Sequence, residues 1–412
     1  MCMQSLKELY KIGNGPSSSH TMGPKRAVEI FRNKHLDATK FKVILYGSLA
    51  LTGKGHLTDY IIEKTLSGYD VEIEFNTKEK CEVHPNTFDI FAIKDGEEIA
   101  HWRVYSVGGG TFQIEGKKVV SFEERYNEKN FEEIKTYCMQ NNCDLYNYVV
   151  NNEESDITNF LKEIWESMQK TVEAGLATDG IIPGKLKLPR KAKGIYENKI
   201  ENETESLKQN RLLSAYAYAT SEENASGGIM VTAPTCGACG VLPAVLYYMS
   251  RHRGISDDEI IKSLAVAGVI GNVIKTNASI SGAECGCQAE VGTACSMAAA
   301  ACAYLCKGNI NQIECAAEIA MEHHLGLTCD PIYGYVQIPC IQRNAVAAMR
   351  AIESSDLSML LDSADSKISF DLVVETMYET GQDLKSHYRE TSEGGLAKKY
   401  CRNKFYNKEM DE

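Results

Sequence analysis

The sequence lacks two features that would point to membranes or nucleic acids as partners. No apolar run reaches the roughly 18 residues that suggest a membrane span. Positive charge is in deficit, because 44 Lys and Arg residues face 56 Asp and Glu residues, for a net charge of −12. Binding to phosphate backbones favours a basic surface. We therefore expect neither a membrane partner nor a nucleic-acid partner.

A signal for export is missing as well. The opening residues, MCMQSLKELYKIGNGP, contain no apolar core followed by a small-residue cleavage site. We therefore expect a cytoplasmic protein. Thiols stay reduced in that compartment, so disulfide bonds are a poor explanation for the fifteen cysteines.

Ten of the fifteen cysteines fall between residues 236 and 340. A buried free cysteine behaves as a small apolar residue. This explanation suits a helical segment rich in small residues and fails for cysteines that neighbour Gly, Asp or Pro in polar loops. We expect burial alone for four of them: Cys295, Cys302, Cys306 and Cys315.

Two other familiar patterns are incomplete. Cys236 and Cys239 form a C-x-x-C, but no second C-x-x-C completes a zinc ribbon, so we interpret the segment as a tight glycine loop that opens a helix. No stretch has the glycine pattern of a G-x-G-x-x-G dinucleotide-binding turn.

The chain divides by its periodicity into an α/β part and a helical part, which predicts an α+β fold. Residues 1–130 alternate between strand-like and helix-like segments, with a strand predicted over 41–51. A polar helical linker follows at 131–180. An all-helical domain with Gly-rich loops is expected over 181–401, and a charged tail over 402–412.

Three cysteines carry the strongest chemical signal. Cys287, Cys329 and Cys340 all lie in segments bearing Gly or Pro. Cysteine thiolate is the usual ligand of iron–sulfur clusters, and three ligands for four irons would leave one iron open as a Lewis acid. On spacing alone, zinc binding and plain burial remain alternatives.

The segment GNGPSSSHTMGP crowds hydroxyls and an imidazole just before a predicted helix. A helix start offers free N–H groups and positive partial charge, which suit a carboxylate ligand. The alternative is a capping loop, because Ser and Thr are favoured N-cap residues. The candidate binding residues are Ser17, Ser18, Ser19, His20 and Thr21.

A second histidine follows a predicted strand in YGSLALTGKGHLTD. His56 lies in a Gly-Lys-Gly-His turn, and strand-to-helix loops often carry function. With an ordinary pKa near 6.5, a histidine can act as a base close to neutral pH. The alternative is a solvated surface histidine.

These segments together resemble the bacterial iron–sulfur L-serine dehydratases, in the single-chain form with fused β and α parts. The resemblance covers almost the whole chain. It rests on eight blocks in family order: GPSSSHTMGP, YGSLALTGKGHLTD, YSVGGGTF, IIPGKLKLPRKA, APTCGACGVLPAVL, NASISGAECGCQAEVGTACSMAAA, HHLGLTCDPIYGYVQIPCIQRNA and TSEGGLAKKYC.

The resemblance implies an N-terminal ACT-like or allosteric-substrate-binding-like domain and a helical catalytic domain holding a 4Fe–4S cluster, without pyridoxal phosphate. It implies L-serine as substrate, a homodimer, and His56 as base. It places the serine-rich loop at the substrate carboxylate. The family's cluster ligands correspond to Cys287, Cys329 and Cys340, and a terminal cysteine that can occupy the open iron corresponds to Cys401, although eleven residues follow it here.

Other functions stay open at this point. A cysteine desulfidase, or another amino-acid lyase that eliminates a β-substituent, would use a comparable cluster; the complete SSSHTMGP block favours serine. An iron–sulfur redox sensor would need a DNA-binding or partner module, which the acidic charge argues against. A pyridoxal-phosphate enzyme would need a Schiff-base lysine, and no loop argues for one.

Overall fold

The computed structural model describes residues 3–79, 81–116, 124–362 and 366–402. Its strands gather towards the N-terminus and its helices dominate the rest, so the predicted α+β fold is confirmed. The charged tail lies outside the described residues beyond Arg402. The strands are β1 Met3–Gln4, β2 Ile12–Asn14, β3 Lys40–Tyr46, β4 Asp70–Asn76, β5 Thr87–Lys94, β6 Glu97–Gly108, β7 Thr111–Ile114, β8 Glu124–Tyr126 and β9 Ile229–Val231.

The helices form most of the molecule after β8. Their starts are typically marked by Ser, Thr, Asn or Asp at the N-cap, as at Asn130, Thr204 and Ser256. The helices are α1 Gly23–Lys34, α2 Gly47–Thr52, α3 Thr58–Thr65, α4 Phe131–Gln140, α5 Leu145–Asn152, α6 Ile157–Ala177, α7 Ala192–Glu197, α8 Glu205–Ala225, α9 Val241–Arg253, α10 Asp257–Asn277, α11 Gly282–Cys285, α12 Thr293–Leu305, α13 Ile310–Glu322, α14 Cys340–Leu360, α15 Phe370–Asp383 and α16 Gly395–Arg402.

A five-stranded sheet forms the core of the N-terminal part. Its strand order is β4-β3-β5-β6-β7, with β3 parallel to β4 and the remaining neighbours antiparallel. Alternate residues of β3 are buried, as period-2 patterning requires, and helix α1 covers them. The Phe31 ring of α1 meets Trp102 of β6 edge-on, with centroids 5.0 Å apart.

The predicted strand over 41–51 is wrong in its second half. Strand β3 ends at Tyr46, and Gly47 turns the chain at φ +51° into helix α2. A side chain at Gly47 would collide with the carbonyl of Pro85, so glycine alone suits this turn. Because the strand stops here, Ser48 and Thr52 come to lie on a helix that faces the candidate site. Strand β5 was not predicted, although buried Phe88 and Ile90 alternate along it.

Small residues allow the central helices to pack closely. All but one residue of α12, TACSMAAAACAYL, are buried, and α10, α13 and α14 surround it. The predicted burial is confirmed for Cys295, Cys302 and Cys315. It is wrong for Cys306, which is exposed because α12 ends one residue earlier, at Leu305.

The N-terminus is tied into the helical part. Leu6, Leu9 and Tyr10 are buried in the same apolar core as α6, α8 and α10, and the Tyr10 hydroxyl donates to the Leu264 carbonyl at 2.8 Å. Strand β2 pairs antiparallel with β9, a short strand within the otherwise helical region. These contacts bring the serine-rich segment, which follows β2, against the loop after β9. Among the described residues, no helix is both long and apolar enough to cross a membrane.

The crossing of α6 and α8 depends on one glycine. We predict that Gly175→Ala destabilises the fold, because the added methyl would overlap the backbone of Ala219. Such overpacking typically costs about 1–3 kcal/mol. Urea unfolding followed by circular dichroism measures the loss.

The matched control is Gly194→Ala in exposed helix α7, where an added methyl has no neighbour within 4 Å. There the substitution should be neutral or stabilising by up to about 1 kcal/mol, because alanine favours helix. Equal effects of the two substitutions would contradict the close crossing of α6 and α8.

Candidate active site

The serine-rich segment forms a buried turn at the start of α1. Residues 18–22 are wound as a π-helical turn, and the hydroxyl of Ser17 caps it by accepting the His20 backbone N–H at 3.1 Å. The Ser19 hydroxyl lies 2.9 Å from His20 Nδ1. Thr21 Oγ1 donates to the carbonyl of His56 at 2.7 Å, joining this turn to the second predicted motif. All five predicted residues, Ser17 through Thr21, are buried.

Helix α2 fixes the two histidines. Thr52 Oγ1 donates its hydrogen to the Ser48 carbonyl at 2.9 Å. The same oxygen lies 3.0 Å from His20 Nε2 and 3.1 Å from His56 Nδ1. A hydroxyl has only one hydrogen, so both ring nitrogens must donate to it. The tautomers assigned from this network are Nε2–H for His20 and Nδ1–H for His56.

His56 therefore presents an unprotonated nitrogen to the site. Its Nε2 is buried, has no hydrogen-bond partner among the described residues, and lies 3.7 Å from Glu390 Oε1. Burial lowers the pKa of His56 to about 3 and that of His20 well below its usual value, so both rings stay neutral near pH 7. The two rings lie 4.2 Å apart between centroids. The surface alternative for His56 is wrong, because its side chain is fully buried.

Glu390 is a site residue that sequence reasoning missed. Its carboxylate oxygen Oε1 lies 3.7 Å from both His20 Nδ1 and His56 Nε2. Its backbone N–H donates to the carbonyl of Cys329 at 2.8 Å, and its own carbonyl accepts the Ser48 hydroxyl at 2.7 Å. Burial, with Glu290 nearby, raises the pKa of Glu390. The only signal in the sequence was its position directly before the TSEGGLAKKYC block.

The three predicted cysteines meet at one cavity. Cys287 follows α11, Cys329 lies in the loop after α13, and Cys340 opens α14. All three line a cavity that Ser17 and His56 also line. Sequence separations of 42 and 11 residues thus become adjacency, because α12, α13 and the 329–340 loop fold back on one another.

Burial keeps these thiols protonated in the absence of a cation. It raises the pKa of Cys287 to about 11 and those of Cys329 and Cys340 well above the usual value. Arg343, one turn into α14, is hydrogen-bonded to Cys287 and lowers that thiol's pKa in part. Metal ions bind thiolates and displace such protons, so three converging thiols, two of them buried and that of Cys340 half-buried, suit a soft, positively charged metal centre.

Glu290 is the second residue that was missed. It also lines the cavity, and Thr235 Oγ1 donates to its Oε1 at 2.8 Å. Burial raises the pKa of Glu290 to about 7. It lies within the GCQAEVG stretch three residues after Cys287, but nothing in the residue type distinguished it from a surface helical glutamate.

Cys401 lies apart from the three cysteines. It is exposed in the last turn of α16, beside Tyr333, and the described residues that line the cavity do not include it. Cys236 and Cys239 form the predicted loop before α9 and are buried against Met22 and Met230. The Sγ of Cys236 is 3.5 Å from the Sδ of Met22.

His20, His56 and Glu390 also offer three candidate metal ligand atoms within 4.8 Å of one another. A metal here would have to displace existing hydrogen bonds, because both nitrogens of His20 are already engaged by Ser19 and Thr52. We therefore interpret these three residues as a neutral imidazole, that of His56, with two neighbours that surround it, and not as a metal site.

Comparison with known proteins assigns the chain. The family model described as serine dehydratase beta chain matches residues 5–73, and that described as serine dehydratase alpha chain matches residues 76–397. The L-serine dehydratase of Haemophilus influenzae is 41% identical over 454 aligned positions, covering 96% of this chain and 99% of its own. L-serine dehydratase 2 of Escherichia coli is 39% identical over 451 positions, with the same coverage. The L-serine dehydratase of Streptomyces coelicolor is 38% identical over 448 positions, covering 95% and 98%.

The fold, the enclosed site and these matches together define an enzyme of the lyase class. The chain belongs to the serine dehydratase family, and the regions matching its beta-chain and alpha-chain models are joined in one polypeptide. The resemblance drawn from the eight sequence blocks is thereby confirmed.

The buried neutral state of His56 makes the fold sensitive to acid. Unfolded histidine binds a proton below about pH 6.5, whereas folded His56 binds one only near pH 3. The unfolded state therefore holds more protons between these values, and stability falls as the pH drops through this window. We predict that His56→Gln reduces the loss of stability between pH 6.5 and 5 by about 1–2 kcal/mol. Urea unfolding under anaerobic conditions at several pH values measures the slope.

Leu49→Ala is the control, because it removes a buried side chain from helix α2 without removing a titrating group. It should lower stability equally at each pH. A native pH slope in His56→Gln would show that His56 is not held neutral.

Proposed function

We propose that this enzyme is an L-serine ammonia-lyase that converts L-serine to pyruvate and ammonia with the aid of a 4Fe–4S cluster. The observation that carries the proposal is the meeting of three cysteine thiols and the unprotonated Nε2 of His56 at one cavity. The names of the similar proteins, L-serine dehydratases of several bacteria, support the choice of substrate.

Cys287, Cys329 and Cys340 would hold the cluster. A donor set of three cysteines fits four irons with one iron left without a protein ligand. When bound, such a cluster supplies Lewis-acid assistance to the departure of the β-hydroxyl, which is otherwise a poor leaving group. We propose no part for pyridoxal phosphate, because the described residues that line the cavity include no lysine for a Schiff base.

His56 would remove the α-proton of serine. Its Nδ1–H is committed to Thr52, so the lone pair at Nε2 is the free base. His20 would orient this ring and take no part in proton transfer, since Ser19 and Thr52 engage its two nitrogens. Full burial of His56 keeps the base unprotonated before substrate arrives.

The serine-rich turn would bind the substrate carboxylate. Of its five residues, Ser17 lines the cavity, while Ser18, Ser19, His20 and Thr21 build the turn behind it. The turn runs directly into α1, because the Gly23 N–H donates to the Ser18 carbonyl, and the positive end of this continuous helix favours a negative charge. Loss of the α-proton and of hydroxide from serine yields aminoacrylate and water. Aminoacrylate tautomerises to an imine, and water hydrolyses that imine to pyruvate and ammonia.

Three further proposals concern the whole protein. We propose that it acts in the cytoplasm without nucleic-acid or membrane partners, which its many thiols and acidic charge support, and as a homodimer, which the family resemblance implies. Cys401 remains our candidate for a resting-state iron ligand. Its exposed position on α16 means that the terminal helix would have to rearrange to bring it to the cavity.

The cluster proposal predicts a brown protein when the chain is purified without oxygen. We expect about four irons and four sulfides per chain, with pyruvate formed from L-serine and lost on exposure to air. Each of the substitutions Cys287→Ala, Cys329→Ala and Cys340→Ala should abolish the visible chromophore, because each removes one of three ligands. Iron and sulfide analysis and absorbance measure this.

Cys285→Ala is the matched control. Its thiol is buried two residues from Cys287, accepts a weak hydrogen bond from Gln382 at 3.5 Å, and is not among the described cavity-lining residues. It should keep the chromophore. Full serine deamination by an iron-free preparation would reject the cluster, and hydrogen sulfide from L-cysteine in place of pyruvate from L-serine would favour a cysteine desulfidase.

The base proposal predicts that His56→Ala lowers kcat by about 10²- to 10⁴-fold, the usual contribution of a positioned base. Iron and sulfide contents should stay native, because His56 is not a proposed ligand. The control is His101→Ala. This histidine lies on strand β6, its ring stacks on Phe91, and it is not among the described residues that line the cavity. Normal turnover in iron-loaded His56→Ala would remove His56 from the mechanism.

A further inference from the structure

One half-buried carboxylate in the cavity has no part in the reaction as described so far. Glu290 lines the cavity with His56 and the three thiols. Within the described ranges it forms no ion pair with a lysine or arginine. The nearby Arg343 is engaged elsewhere, with Asp330 Oδ1 at 3.5 Å and the Thr328 carbonyl at 2.6 Å. A carboxylate that lines a cavity without such a partner is a suitable hydrogen-bond acceptor for a cationic group of a ligand.

The protein holds this carboxylate in a fixed position. Thr235 donates to Oε1, and the two oxygens occupy space that side chains at positions 237 and 282 would fill. A Cβ atom at Gly282 would come within 2.5 Å of Oε2, and one at Gly237 within 3.0 Å of Oε1. Two glycines thus leave space for the Glu290 carboxylate at the cavity wall, and the Thr235 hydroxyl fixes its orientation there.

The proposed substrate has a cationic group that is suited to contact the Glu290 carboxylate. Serine carries a carboxylate, a hydroxyl and an α-ammonium, and the first two have partners in the serine-rich turn and the cluster. The ammonium needs hydrogen-bond acceptors, preferably negative ones. Glu390 is the other carboxylate in the cavity, but its Oε1 lies between the two imidazoles on the base side.

We propose that Glu290 binds the α-ammonium group of the substrate and so selects amino acids over acids that lack the amino group. This inference rests on the proposed function, since it takes an amino acid as the substrate. It makes Glu290 a specificity-determining residue that contacts the substrate directly. The substrate would also relieve the repulsion between Glu290 and Glu390 at the shared cavity.

The test compares two inhibitors that differ only in the amino group, L-alanine and propionate. Their inhibition constants against serine turnover are measured in the iron-loaded native enzyme and in Glu290→Gln. We expect alanine to bind more tightly than propionate in the native enzyme. In Glu290→Gln the ratio of the two constants should fall about 10- to 100-fold, the range expected for a lost charge-assisted hydrogen bond. The change should come from weaker binding of alanine.

Glu284→Gln is the matched control. Its carboxylate accepts the Ser279 hydroxyl at 2.7 Å six positions before Glu290, and the described cavity lining does not include it. It should leave the ratio native. Thr235→Val provides a second variant, because it removes the donor to Glu290 Oε1 and should lower the ratio by a smaller factor. This variant decides the question if Glu290→Gln fails to retain iron.

A native ratio in iron-loaded Glu290→Gln, or an equal weakening of both inhibitors, would overturn the inference, because a purely structural role affects both alike. A native ratio in Thr235→Val would do the same where Glu290→Gln lacks iron. Failure of the proposed function gives a different result, since the native enzyme would then form no pyruvate from serine at all.

Discussion

The single hydroxyl hydrogen of Thr52 determines the state of both histidines at the site. Because that hydrogen goes to the Ser48 carbonyl, the oxygen can only accept from His20 Nε2 and His56 Nδ1. Burial then keeps both rings neutral. His56 is therefore a neutral base whose Nε2 lone pair is oriented by the Thr52 hydrogen bond and not by a charged partner in hydrogen-bond contact. A solvated histidine could not keep this neutral, fixed state.

This network depends on backbone contacts between distant segments. Gly47 ends β3 and starts α2, so Ser48 and Thr52 reach the site. The Ser48 hydroxyl then donates to the carbonyl of Glu390, and the N–H of Glu390 donates to the backbone carbonyl of Cys329. One chain of hydrogen bonds therefore links the histidine pair to a cysteine of the proposed cluster, and a shift in either part would be felt by the other.

Sequence reasoning reached the residues whose types are chemically unusual. The three cysteines, His20 and His56 stand out because thiols and imidazoles are scarce and their spacing is informative. Glu290 and Glu390 do not stand out among 56 acidic residues, since their significance comes from their position at the cavity, which tertiary packing decides. Ser48 was hidden in a predicted strand and Thr52 directly followed it, because the contact of Gly47 with Pro85 joins positions that local periodicity cannot relate.

The five-stranded sheet determines whether the regions that match the beta-chain and alpha-chain models could fold as separate polypeptides. The beta-chain match ends at residue 73 and the alpha-chain match begins at residue 76, so the boundary falls within β4. Strand β3, on one side of this boundary, pairs along its length with β5 on the other. If the gene were split at that point, each polypeptide would expose an unpaired strand edge and half of a common interior. The two pieces would then be obligate partners, unable to separate and rejoin as a means of control.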